Sequence, residues 1–128
     1  MSSKTQPKKI LIVEDDTVSA LLLQDYLKSI GYQVLHLADA DCFLPTVQDF
    51  QPNLILLDVQ LSDTVTGIDL LHQLHQQTEI PAPPVVIVTA MAMAGDRETF
   101  LQAGASAYLS KPINIIKLES VLMDYLVA

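Results

Sequence analysis

Asp58 closes a four-residue apolar run, Leu54 to Leu57, in the segment ILLDV. An unpaired charge carried into apolar surroundings costs several kcal/mol, so this carboxylate belongs where a buried strand emerges at the rim of a sheet. A second apolar run, Ile10 to Val13, leads straight into Glu14, Asp15 and Asp16. Two strand ends loaded with carboxylates suggest a divalent cation site in which one carboxylate can serve as a nucleophile. The competing reading is two unrelated turn acids that cap helices.

The surrounding pattern supplies the elements that must position these acids. KKILIVEDD reads as a first strand, its continuous Ile, Leu and Val run suiting a strand covered on both faces. Asp16 or Thr17 then caps a helix to about Ile30, with Leu23, Tyr26, Leu27 and Ile30 at helical spacing and Gly31 as the stop. Tyr32 to Leu37 is a second strand. A helix over Asp41 to Phe50 carries Pro45 in its first turn, and Pro52 and Asn53 turn the chain into the Asp58 strand. Gly67 to Gln76 is a helix that buries Ile68, Leu70, Leu71 and Leu74, and Thr78 to Pro84 is a Pro-rich loop. Val85 to Thr89 is the fourth strand, Asp96 to Ala103 a helix stopped by Gly104, and Ala107 to Leu109 a short fifth strand. Asn114 caps a last helix to about Leu126. Buried strands alternating with helices specify a parallel sheet with helices on both faces.

At 128 residues, half of them hydrophobic and 17% charged, the chain has the length and composition of one packed domain. Its net charge of −8, with only seven Lys and Arg, argues against direct nucleic-acid binding. Cys42 is the single cysteine, so it has no disulfide partner in the chain and no zinc spacing. No apolar stretch has the roughly 20 residues of a membrane helix, and MSSKTQPKK lacks the apolar core of a secretory signal, so the expected location is cytoplasmic.

In an open parallel sheet, ligands bind outside the carboxyl ends of the strands, where strand order reverses. That rule selects Glu14 and Asp15 after strand one, Asp58 at strand three, Thr89 at strand four and Lys111 after strand five. Hard oxygen donors suit Mg²⁺, a threonine hydroxyl can bond a phosphoryl oxygen, and a lysine can neutralise another as a point charge. Together they resemble the apparatus for phosphoryl transfer, where catalysis is mostly positioning and charge stabilisation. Singly, each has a plainer reading: Thr89 as a strand-ending residue, Lys111 as a surface charge, Tyr108 as core. His36, His72 and His75 form no metal-ligand set, and His72 and His75 read as partly exposed on one helix side.

VEDD, LLDV, VTA and YLSKP, in that order and spacing, resemble the receiver domain of two-component response regulators from Lys9 onward, after a polar lead over residues 1–8. The resemblance implies a flavodoxin-like, doubly wound sheet of five parallel strands in the order 2-1-3-4-5, with residues 9–128 as the receiver. It implies that Asp58 is the phosphoacceptor, taking a phosphoryl group from a sensor histidine kinase or His-phosphotransfer protein. Mg²⁺ would be bound by Asp15, Asp58 and the main-chain carbonyl of Gln60, and by Glu14 through water. Thr89 and Lys111 would bind the phosphoryl group, Thr89 and Tyr108 would move as the switch, and Lys111–Pro112 would be a cis peptide. Gln60 and Met91 would tune how readily water reaches the phosphate, with apolar Met91 obstructing it.

The chain departs from that family in the loop VQLSDTVTG, where Gly67 stands nine residues past Asp58, one more than is common, and Ser62 replaces a frequent Pro. Asp63 adds a solvated acid there. The last helix is more apolar than one buried stripe needs, so the face made by helix four, strand five and helix five is expected to bind a downstream protein or a second copy. The end of the chain just past helix five suggests a stand-alone switch, although a receiver cut from a larger regulator or hybrid kinase reads the same. A phosphatase of the haloacid-dehalogenase type also uses an Asp nucleophile and Mg²⁺, but it needs a second acid where Gln60 stands. A pseudo-receiver that works without phosphorylation would not need the full set of site residues.

Overall fold

The computed structural model describes residues 7–59, 66–77, 82–90 and 96–126. Within them run β1 (Lys9–Val13), α1 (Thr17–Ser29), β2 (Gln33–Leu37), α2 (Phe43–Phe50), β3 (Leu54–Asp58), α3 (Gly67–Gln76), β4 (Val85–Thr89), α4 (Asp96–Gln102), β5 (Ala107–Ser110) and α5 (Ile115–Leu126). The sheet order is β2-β1-β3-β4-β5 and every neighbouring pair is parallel. Gln60, Ser62, Asp63 and Met91 lie outside the described residues.

The two-residue period of the strands sorts the apolar side chains into two layers. Leu11, Val13, Ile55, Leu57, Val85 and Ile87 pack with Phe43, Val47, Leu70, Leu71, Leu74 and Phe100, which come from α2, α3 and α4. Ile10, Ile12, Leu54, Leu56, Val86 and Val88 pack with Leu27 of α1 and with Leu118, Leu122 and Leu126 of α5. Central β3 and β4 are buried along their whole length, because helices cover both faces. Each fully buried Leu or Ile contributes about 1.5–3 kcal/mol, so the strands are held by their own sequence.

Helix starts follow side-chain chemistry. Asp16 accepts from the Val18 and Ser19 amides at the start of α1, and Asn114 Oδ1 accepts from Ile116 and Lys117 at the start of α5. Thr66 and Asp69 form a reciprocal capping box on α3. Helix α2 starts at Phe43 and not at Asp41: residues 40–43 form a turn in which the Phe43 amide bonds the Ala40 carbonyl, and the Thr46 amide bonds the carbonyl of Cys42, the N-cap. Ile30, expected on the buried stripe of α1, is its C-cap and is exposed, with Gly31 following at φ 103°. The Lys111–Pro112 peptide is cis. The apolar excess of α5 faces outward, where Ile116 is 77% and Met123 63% exposed.

Candidate functional site

Strand register brings the acids together. Val13 pairs with Leu57, so the next residues, Glu14 just past β1 and Asp58 at the end of β3, lie side by side at the sheet rim. Asp58 in turn pairs with Val88, and Thr89 pairs with Ser110, which sets Lys111 one residue further along the same rim. Carboxylate oxygens of Glu14, Asp15 and Asp58 all lie within 4.8 Å of one another. Glu14 and Asp58 are each only 6% exposed, whereas Asp15 opens to solvent. This is a compact set of hard oxygen donors, the chemistry a divalent cation such as Mg²⁺ requires, so the residues fit such an ion.

Lys111 closes the cluster from the β5 side. Its Nζ lies 2.6 Å from Glu14 Oε1 and 3.2 Å from Asp58 Oδ2. Burial pushes the Glu14 carboxyl above its ordinary range and the adjacent Asp58 carboxyl adds to this, against the opposing pull of Lys111 and the Asp16 amide. For Lys111, burial works against the charge, but its hydrogen bonds to the two acids and their fields outweigh it and raise the pKa. Asp16, the third acid of the run, serves the helix: its oxygens bond the Ser19 hydroxyl and amide, which lowers its pKa.

Thr89 is fully buried, and its carbonyl accepts the Lys111 amide at 2.8 Å, tying the end of β4 to the residue after β5. Tyr108 is partly buried on the α3–α4 side of the sheet, its ring 5.5 Å from that of Phe100. By strand alternation Thr89 points to that same side, since Ile87 does, so the two residues share a face. His72 and His75 are both exposed, and His75 Nε2 contacts the Gly104 carbonyl at 3.1 Å, far from the acids in role.

Two supporting residues were missed or undervalued in sequence. Gly67 sits so close to the Asp58 carbonyl oxygen that a Cβ would clash with it, and its amide bonds the Val59 carbonyl at 2.7 Å. His36 on β2 places Nε2 2.7 Å from the Glu14 carbonyl. No local pattern signals that contact, because it crosses from one strand to the end of another.

A cavity of about 560 Å³ opens beside the acids, between α1 and the segment leading into α5. Glu14, Asp58 and Lys111 form its polar end, and Leu22, Leu23, Tyr26 and Ile113 line the apolar remainder. Among the described residues no helix is long and apolar enough to cross a membrane.

The family profile for the response regulator receiver domain matches residues 10–123. The polar-differentiation response regulator DivK of Brucella anthropi is 35% identical over 94% of this chain and 97% of its own length. Among solved structures, a CheY-like response regulator receiver domain protein from Methanospirillum hungatei superimposes with a TM-score of 0.81 at 33% identity, covering 92% of each chain. The receiver domain of sensor histidine kinase PA1611 from Pseudomonas aeruginosa, solved with a magnesium ion coordinated in its active site cleft, gives 0.83 at 30% identity over 95% of this chain and 99% of that one.

Proposed function

This chain belongs to the response regulator receiver domain family, and on that premise we propose that it is a phosphorylation-driven switch of a two-component His-to-Asp phosphorelay, with Asp58 as the phosphoacceptor. The observation that carries the reading is the placement of Asp58, a nearly buried carboxylate between two further acids and the Lys111 ammonium.

In this mechanism an Asp58 oxygen attacks the phosphorus of a phosphohistidine on a kinase or phosphotransfer protein. The P–N bond breaks, its electron pair returns to the imidazole, and an aspartyl phosphate remains. Lys111, already within hydrogen-bond reach of Asp58 Oδ2, neutralises a phosphoryl oxygen, and the Thr89 hydroxyl bonds another. Asp15, Asp58 and the Gln60 carbonyl, with Glu14 acting through water, would hold a Mg²⁺ ion, whose chemistry when bound is to offset negative charge on phosphoryl oxygens. Thr89 and Tyr108, which share a face, then carry the change outward as a two-state switch. Hydrolysis returns the carboxylate, and Met91, two residues past Thr89, slows it by obstructing water.

The output surface is the face of α4, β5 and α5, where Leu101, Met123 and Tyr125 are exposed apolar groups. A downstream protein or a second copy docks there, and light scattering with and without a phosphoryl analogue separates the two. The chain acts on no external substrate beyond its phosphodonor, contacts no nucleic acid, and works in the cytoplasm as a receiver unit spanning residues 9–128. Incubation with phosphoramidate and Mg²⁺, followed by intact mass, tests the reading. Wild type gains one phosphoryl group, whereas Asp58→Asn, or wild type in chelator, gains none; labelling of Asp58→Asn to the wild-type extent overturns it.

A further inference from the structure

Resting on that reading, we propose that His36 is a positioning residue for the site: by donating from Nε2 to the Glu14 carbonyl, it aims the peptide that joins the two adjacent acids and so sets the Mg²⁺ affinity. The contact is short, 2.7 Å, and partly buried. A carbonyl can only accept, so the ring presents Nε2–H. The Glu14 amide is meanwhile bonded to the Leu37 carbonyl at 3.0 Å, so consecutive residues of β2 hold the peptides on both sides of Glu14.

This is where regular pairing stops. The β1–β2 register ends at Val13 with Leu37, and the ring donates where a further step of the parallel ladder would have supplied the amide of Asp39, just past β2. On the far side the turn is held by the Asp16 amide on Glu14 Oε2 at 3.2 Å and by Asp16 capping α1. Asp15 therefore stands between two anchored points. The peptide plane before it is the one His36 holds, and that plane fixes how far the Asp15 carboxylate diverges from that of Glu14. Ligand groups must be kept within about 0.5 Å of productive geometry, which an exposed side chain on an unanchored turn does not achieve. An edge strand that supplies no ligand itself thus contributes to the metal site through one imidazole.

The test compares His36→Leu, which removes the donor, with His36→Gln, which keeps an N–H. Mg²⁺ dissociation constants come from isothermal titration calorimetry on the full chain, alongside thermal midpoints and ring ¹⁵N shifts. His36→Leu weakens Mg²⁺ about tenfold, the low end for loss of an outer-shell hydrogen bond. His36→Gln stays within about twofold of wild type on the same reasoning. Phosphorylation of His36→Leu by phosphoramidate is slow at low Mg²⁺ and recovers at saturating Mg²⁺, and wild-type ¹⁵N shifts report the Nε2–H tautomer. An unchanged Mg²⁺ affinity in His36→Leu, even with a lowered thermal midpoint, overturns the positioning role and leaves the phosphoacceptor reading intact. Equal weakening in both variants overturns it too, because the N–H would not be the cause. If wild type itself binds no Mg²⁺, the metal-site reading fails and the inference with it.

Discussion

Nζ of Lys111 lies 2.6 Å from Oε1 of Glu14, closing the site across 97 residues of chain. The same ammonium reaches Asp58 Oδ2 at 3.2 Å, so one cation balances two nearly buried acids where a divalent ion would also bind.

Replacing that cation separates its two effects. Lys111→Met slows phosphorylation of Asp58 by about 10²-fold, the usual loss when one donor to a developing oxyanion is removed. It also tightens Mg²⁺, because a like charge has left the carboxylates. Stopped-flow phosphorylation and calorimetric titration measure both; an unchanged rate would remove Lys111 from the chemistry.

The raised pKa of Glu14 makes a pH prediction. Because burial and Asp58 lift it above 4.5, the native state binds this proton more tightly than the unfolded chain. Stability from this group therefore falls as pH rises from 4.5 through the raised value, and the full penalty persists above it. Metal-free Glu14→Gln is accordingly more stable than metal-free wild type at neutral pH, and the difference closes as pH falls below 4.5. Lys111 follows the same sign in a more alkaline window: its raised pKa contributes stability that is complete below 10.5 and lost as pH rises through the folded value. Thermal unfolding in chelator across pH checks the Glu14 difference. A neutral-pH midpoint lower in Glu14→Gln contradicts the sign.

Gly67 is a steric requirement at the end of the Asp58 strand. A Cβ on Gly67 would strike the Asp58 carbonyl oxygen and approach the Val59 Cα to 3.0 Å, both backbone atoms that cannot turn aside as side chains do. Gly67→Ala destabilises the fold by about 1–3 kcal/mol, as overpacking does. Urea unfolding measures this, and an unchanged midpoint would show that the start of α3 can yield.

Much of this was legible because it is written locally. Val85–Thr89 and Gly67–Gln76 read correctly because apolar period and flanking turn residues coincide at both ends. Glu14, Asp58, Thr89 and Lys111 stood out because a polar residue at the end of an apolar run has only the sheet rim to occupy. The start of α2 did not, since a turn closed by the Phe43 amide on the Ala40 carbonyl precedes the helix and no side chain caps it. His36 was equally silent: its partner is 22 residues away, and only the register of β1 with β2 brings them together.

The most direct measurement concerns which atom carries the phosphoryl group. Borohydride reduces an acyl phosphate to an alcohol, so phosphorylated protein, trapped and digested, records its acceptor as homoserine at one position. The prediction is homoserine at position 58 in a Mg²⁺-dependent amount, and none in Asp58→Asn. Trapping at Glu14 or Asp15, or no trapped residue in protein exposed to phosphoramidate and Mg²⁺, would contradict Asp58 as the phosphoacceptor.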